Sequence, residues 1–466
     1  MNFTNKTNRR KFLGTCGKMS SLSVLSQILQ LKMLNAAVSN NTSIPNNSYK
    51  ALVCVFLNGG NDSFNMLTPW TANFHNNYVE ARSHVALQRN APTNGVSVVA
   101  GLNPQNMPHF GINSLMPDVR NLYNSRELAF LANVGTLVRP TSIQDVNNGN
   151  DLPSGLFSHR EQQLSWQTSV PQTVSARGWI GRMSEVINDT INSNTDVSLN
   201  YSLSGASRLQ TGNISEPFTI TDSGANELNL YRSRADIRNT YDTSLNASYG
   251  NLLKQHYAEK YKEIIEQNAD YNDTINQNGN PFSSSAFPNT SLGRQLRQVA
   301  LTINARGAIG ARRQSFFVQQ NGFDSHSNLL ENQTVLLTEL NDALFAFSNA
   351  MRAIGENNNV TTYTASDFGR TITPNTTGTD HGWGGNQIIM GGAVNGRKVY
   401  GQYPSDLRIG ANPSIDTGRG RFIPTTSVDE FSAELACWYG VGENDLDTIL
   451  PNINNFNYSP LGILDL

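Results

Sequence analysis

The sequence predicts an α/β protein built on a doubly wound, mostly parallel sheet with helices on both faces. Three observations carry this prediction. Residues 52–57 form a continuous apolar run that ends in Asn58-Gly59-Gly60-Asn61-Asp62. A short all-apolar strand closed by glycines suits the centre of a sheet covered on both sides. The runs 128–134, 315–318 and 361–365 repeat that pattern. Between the last two, Leu329, Leu330, Leu336, Leu337, Leu340, Leu344, Phe347 and Met351 fall at helical spacing over 329–354. Strand, turn, helix, strand is the crossover unit of such a sheet.

Taken in order, the chain opens with Asn8-Arg9-Arg10-Lys11-Phe12-Leu13-Gly14, a mildly apolar stretch over 19–34, and the small pair Ala36-Ala37. This resembles a twin-arginine export signal. It makes 1–37 a leader read by the twin-arginine translocase, 38–49 a polar linker, and 50–466 the folded body, exported to the periplasm or beyond. Residues 183–290 are rich in Asn, Ser and Thr, with a helix expected around 252–266 and a loop over 268–289. They read as an inserted cap. Near the end, Ser427-x-x-Glu430 reads as a capping box, and Val428, Phe431, Leu435 and Trp438 line the helix it opens.

Composition excludes several classes. Of 466 residues 59 are Asn, while charged residues make up 15%, which suggests long polar surface loops. No stretch of 18 apolar residues occurs, so the mature chain has no integral membrane segment. The formal net charge of −2 hides an asymmetry: residues 1–37 hold six Lys or Arg and no acid, leaving a body of net charge −8. That sign argues against nucleic acid as a partner. There are three cysteines and no CxxC, which excludes zinc ribbons and thioredoxin-type sites. Cys54 and Cys437 remain in the body. A disulfide between them is one reading, and a core thiol at Cys54 is the preferred one.

In open α/β sheets, ligands bind beyond the carboxyl ends of the strands. Four polar clusters fall there: 59–63, 322–326, 366–370 and 378–385. They offer Asp62, Asp324, His326, Asp367, Asp380 and His381 as metal ligands. Mixed carboxylates and imidazoles suit zinc, manganese or iron over magnesium or calcium. Each cluster also has a plain structural use. Asp62 can shape a turn, Asp324 and His326 can cap a helix at Asn328, and Asp380-His381 can be a surface turn. His75, His84, His109 and His256 lack acidic neighbours and read as surface or satisfied residues.

The segments 58–66, Leu156-Phe-Ser-His-Arg-Glu-Gln-Gln163, Gly178-Trp-Ile-Gly-Arg182, Gly322-Phe-Asp-Ser-His326, Ser366-Asp-Phe-Gly-Arg-Thr371, Thr379-Asp-His-Gly-Trp-Gly384 and 391–396 together resemble the motifs of the DUF1501 family, from about 50 to about 455. The family is grouped with the alkaline phosphatase superfamily. The resemblance implies an alkaline-phosphatase-like fold and one or two divalent ions, zinc or manganese. It makes Asp62 a ligand on the nucleophile's side, and Asp324 and His326 ligands of the other metal. A superfamily Asp-His pair then falls on Asp367-Phe368, where phenylalanine cannot ligate, and the last histidine is His381. Asp380-His381 is an alternative pair. Trp166-Gln-Thr-Ser169 resembles the superfamily's Trp-x-Thr-Gly, which puts Ser158, with its neighbour His159, near the nucleophile position. Ser158 as a helix cap is the alternative. Arg160 or Arg370 would balance developing charge. The x-Pro-x-Arg of sulfatases is absent.

The function this suggests is an exported metal-dependent hydrolase acting on phosphate, less readily sulfate, esters of a small molecule or polymer. The alternative is a non-catalytic exported surface or binding protein that keeps the fold.

Overall fold

The structure is a computed structural model and describes residues 48–90, 95–100, 107, 109–191, 198, 200–283 and 285–466. The expected leader, and the expected linker up to residue 47, lie outside the described residues.

The main sheet has nine strands: β1 (Lys50–Asn58), β2 (Leu128–Gly135), β3 (Asn200–Ser202), β4 (Phe218–Thr219), β5 (Arg313–Asn321), β6 (Val360–Ser366), β7 (Gly385–Met390), β8 (Val399–Gly401) and β9 (Thr426–Ser427). Across the sheet they run β8-β2-β7-β6-β1-β5-β3-β4, with β9 also on β2. Every pairing is parallel except those of β7, which runs antiparallel to both β6 and β2. The expected doubly wound, mostly parallel sheet is therefore present, with one reversed strand. A second, four-stranded sheet joins Leu67–Pro69, His109–Asn113, Gly95–Ala100 and Gln88–Arg89.

Period-two alternation in β1 feeds two cores. Ala51, Val53, Val55 and Leu57 enter one cluster, while Leu52, Cys54 and Phe56 enter the other. Helices α1 (Ala72–Arg82), α2 (Pro117–Asn124), α3 (His159–Thr168), α4 (Trp179–Ile191), α5 (Leu252–Gln277), α6 (Ser291–Asn304), α7 (Leu329–Ala353) and α8 (Val428–Tyr439) cover the sheet. Leu296 and Val299 of α6 and Leu337, Leu340, Leu344 and Phe347 of α7 fill the first core. Trp179 and Met183 of α4 and Phe431, Leu435 and Trp438 of α8 fill the second. The capping box at Ser427 and Glu430 is formed, with the Ser427 side chain accepting from the Glu430 N–H. Cys54 and Cys437 are both free thiols.

The segment 183–290 differs from the expected cap. Its β3 pairs with β5 and β4 with β3, so part of it is sheet edge. The helix expected to end near 266 runs to Gln277, across a mostly polar stretch whose Tyr271 and Ile275 pack on the first core. Its carboxyl half packs on α6, where Tyr271 Oη lies 2.6 Å from Thr302 Oγ1, and on Arg306–Ile309, which lead into the start of β5. That contact lies toward the amino ends of the strands.

Register gathers the loops that matter. Leu57 stands beside Ser366 on one side and Gln320 on the other, so β1, β5 and β6 end at one level. Glycine is required where their loops meet. Gly59, at φ +116°, would place a Cβ 2.4 Å from Asp324 N, and Gly60, at φ +84°, would place one 2.4 Å from the Phe368 ring.

A candidate metal centre beyond the carboxyl ends of the strands

Four loops bring their polar side chains together here. His159 is the first residue of α3, and the turn before it holds Phe157 at φ +73°, an unusual conformation for a bulky residue. Asp324 and His326 follow β5, Asp367 and Arg370 follow β6, and Asp380 and His381 precede β7. A bridge between Arg370 and His381 ties the two arms of the β6–β7 connection.

Asp324 is the hub. Its Oδ1 lies 3.0 Å from His326 Nε2 and 3.4 Å from His381 Nε2, and its Oδ2 lies 3.4 Å from His159 Nε2. The Nε2 atoms of His326 and His381 are 3.0 Å apart. One ligand atom each from His159, Asp324 and His381 lies within 4.8 Å of the others. A tetrahedral ion with bonds of ~2.0–2.1 Å has ligand-to-ligand edges of about 3.3 Å. The Asp324–histidine and His326–His381 spacings are near that figure, while the group that closes with one ligand atom each is His159, Asp324 and His381.

Each histidine is oriented from behind through Nδ1. His159 Nδ1 lies 2.7 Å from Asp367 Oδ2, His326 Nδ1 3.0 Å from Asp380 Oδ1, and His381 Nδ1 2.7 Å from the Phe157 carbonyl. A carboxylate or carbonyl accepts only, so each Nδ1 carries a proton, and a ring left unprotonated at Nε2 turns that lone pair toward Asp324. In that protonation state three lone pairs and a carboxylate face one another, a donor set that fits a cation.

The charges agree. Burial would raise the Asp324 carboxyl, but the Arg370 guanidinium, with His326 and His159 adding to it when protonated, outweighs burial and holds it below the ordinary range. Burial would likewise raise Asp380, yet Arg419, Asn375 and His326 bring it down to about 2. His381 is lowered, first by burial and then by Arg370 and His159, against the Phe157 carbonyl and Asp324. That lowering favours the neutral ring a ligand must present.

The expected residues separate into groups. Asp324, His326 and His381 converge, and His159 joins them. Asp367, expected as a ligand, is fully buried and also accepts from Gln163 Nε2 at 2.9 Å and Gly59 N at 3.1 Å. Asp380, likewise expected as a ligand, accepts from Arg419 at 2.5 Å and Asn375 at 3.2 Å. Both stand behind histidines. Asp62, the third expected ligand, lies outside the cluster. Its Oδ2 accepts from Arg82 of α1 at 2.7 Å and from Thr379 Oγ1 at 3.0 Å, while its Oδ1 is buried without a hydrogen-bond partner among the described residues. An arginine already neutralises that carboxylate.

Ser158 occupies the cap position of α3 without making the cap bond, and its hydroxyl donates to the Glu161 carboxylate. Arg370 is buried and committed to Asp324 Oδ1 at 2.8 Å and to the Gly59 and Thr379 carbonyls. Arg160 is 77% exposed beside Glu161. Phe368 packs its ring 4.6 Å from that of His381 and 5.0 Å from that of His159, as an apolar wall. Gln163, Asn375, Arg419 and the Phe157 carbonyl were not expected. Gln163 was findable, since it lies one helical turn after His159 and shares its face. The Phe157 carbonyl depends on a backbone angle without a sequence signature. The remaining histidines lie apart: His75 is buried with Nδ1 2.9 Å from the Pro69 carbonyl, and His84, His109 and His256 are exposed.

No described helix is long and apolar enough to cross a membrane. No curated protein matches the chain. Among solved structures, Ps i-CgsB in complex with k-i-k-neocarrahexaose is similar at 8% identity and a TM-score of 0.36, covering 88% of this chain and 77% of that one. The C-terminal periplasmic domain of EcEptC from Escherichia coli, in complex with Zn, gives 10%, 0.35, 87% and 88%. The soluble domain of lipooligosaccharide phosphoethanolamine transferase A from Neisseria meningitidis gives 7%, 0.34, 91% and 94%. The family model described as "Protein of unknown function (DUF1501)" matches residues 49–413, and the chain belongs to that family.

Proposed function

We propose that the protein is an exported hydrolase that works with one divalent ion, zinc or manganese, and cleaves phosphate esters in preference to sulfate esters. The observation that supports this most is the convergence of three Nε2 atoms on the Asp324 carboxylate, each ring oriented through Nδ1. Asp324, His159, His326 and His381 would hold the ion. Borderline imidazole and hard carboxylate donors together suit zinc or manganese. When bound, such an ion supplies Lewis-acid stabilisation of charge on a phosphoryl oxygen.

The chain's own groups do the rest. Asp367, Asp380 and the Phe157 carbonyl hold the three rings in one tautomer. Arg370 fixes Asp324 and offsets its charge. Ser158, one residue before His159, is the nucleophile of this reading, and Glu161 accepts the hydroxyl proton's hydrogen bond. Export is supported by the basic pair Arg9-Arg10 ahead of an acidic body.

The test is hydrolysis of an aryl phosphate and an aryl sulfate by the mature chain loaded with zinc or manganese. Phosphate ester turnover that is abolished by Asp324→Ala and by His381→Ala is expected. Turnover unchanged in both variants would overturn the assignment. No turnover on any ester by a metal-loaded chain would favour the binding-protein alternative.

A further inference from the structure

Resting on that reading, we propose that Arg421 anchors the anionic group of the substrate, a tetrahedral oxyanion of the phosphoryl class. Arg421 is the arginine at this site that is placed but uncommitted. Its Nε donates to the His381 carbonyl at 2.9 Å, and its guanidinium lies 5.0 Å over the Phe157 ring. Phe157 in turn accepts from His381 Nδ1 at 2.7 Å. The guanidinium is thus held between His381 and Phe157, the residue whose carbonyl orients the His381 imidazole.

The other arginines here have partners. Arg370 is committed to Asp324 and two carbonyls, Arg419 donates to Asp380, and Arg160 stands 77% exposed beside Glu161. Arg421 is half-buried, and among the described residues neither of its terminal nitrogens has a hydrogen-bond or ion-pair partner. A guanidinium that is partly desolvated and held by Nε and a ring face presents its remaining N–H groups as a fork. Such a fork matches two oxygens of one oxyanion, which a lysine ammonium does not. Because Arg421 reaches the cluster through the backbone of His381, it can bind an anion without displacing any group on Asp324.

The experiment titrates inorganic phosphate, with acetate as comparator, into the zinc-loaded mature protein and its Arg421→Met and Arg421→Lys variants. Zinc content is measured in each. The expected result is phosphate affinity at least tenfold weaker in Arg421→Met, intermediate in Arg421→Lys, and zinc content unchanged. Equal phosphate affinity in all three, zinc retained, would overturn the anchor and leave the metal centre standing. Loss of zinc from both variants would overturn it too, making Arg421 a support for His381. Tighter acetate than phosphate binding would overturn the substrate class. A wild-type chain that takes up no zinc would overturn the metal reading itself.

Discussion

His326 and His381 face each other through their Nε2 atoms at 3.0 Å, while each ring gives its Nδ1 to an acceptor on the far side, Asp380 or the Phe157 carbonyl. Two such rings turn lone pairs toward one another, and the Asp324 carboxylate adds a third electron-rich group. A proton on one Nε2 or a cation among the three groups satisfies the arrangement, and the proposed function takes the cation.

The carboxylates behind the histidines tune the site without touching its contents. Asp380→Asn and Asp367→Asn each weaken metal affinity about 10–100-fold, the effect of losing an outer partner. Competition with a chromogenic chelator measures this. Affinity equal to wild type in both would remove their orienting role.

Asp62 and Arg82 behave differently. Their side chains are 1% and 0% exposed, so they form a buried ion pair. Arg82→Met leaves Asp62 unpaired in the interior and costs about 3–5 kcal/mol of stability. Urea denaturation reads that loss, and the folded fraction keeps its full metal content. Were Asp62 a ligand, metal content would fall with it.

Much of the site was legible because strand ends are. Apolar runs closed by glycine and acid marked β1, β5 and β6; parallel register carried Asp324, His326 and Asp367 to one end, and the connection from β6 to the antiparallel β7 placed His381 there. What could not be read was direction. Asp324 points inward and Asp367 and Asp380 stand behind because of side-chain partners from distant segments, such as His159, Gln163 and Arg419. Arg82 reaches Asp62 from a helix 20 residues on, which no local pattern announces. The antiparallel β7, β3 and the edge strand β4 are short or non-alternating. The last turns of α5 are Asn-rich, so pattern favoured a loop where packing of Tyr271 holds a helix.

Gly60 tests the convergence of the loops. Gly60→Ala places a methyl 2.4 Å from Phe368 at φ +84°, displacing the ring that packs on His159 and His381. A stability loss of about 1–3 kcal/mol is expected from overpacking, together with weaker metal binding. Thermal denaturation with and without zinc reads both; identical midpoints and an unchanged zinc-induced rise would contradict the packing account.

Asp429 gives the pH dependence. Burial in α8 raises its carboxyl to about 7, with Ser169 and Arg182 pulling the other way. Between the ordinary value of 3.8 and about 7 the folded state holds a proton that the unfolded state has released. Stability at this group therefore falls as pH rises through that window and levels off above it. Asp429→Asn removes the decline, so its stability relative to wild type grows from pH 4 to pH 7. A constant difference across that range would contradict the raised value.

The central claim is one ion held by Asp324, His159, His326 and His381. Elemental analysis of the mature chain, purified without chelators or a metal-affinity tag, tests it most directly. One equivalent of zinc or manganese, lost in His326→Ala and His381→Ala, is predicted. No metal, even after adding it back to the wild-type chain, would contradict the account.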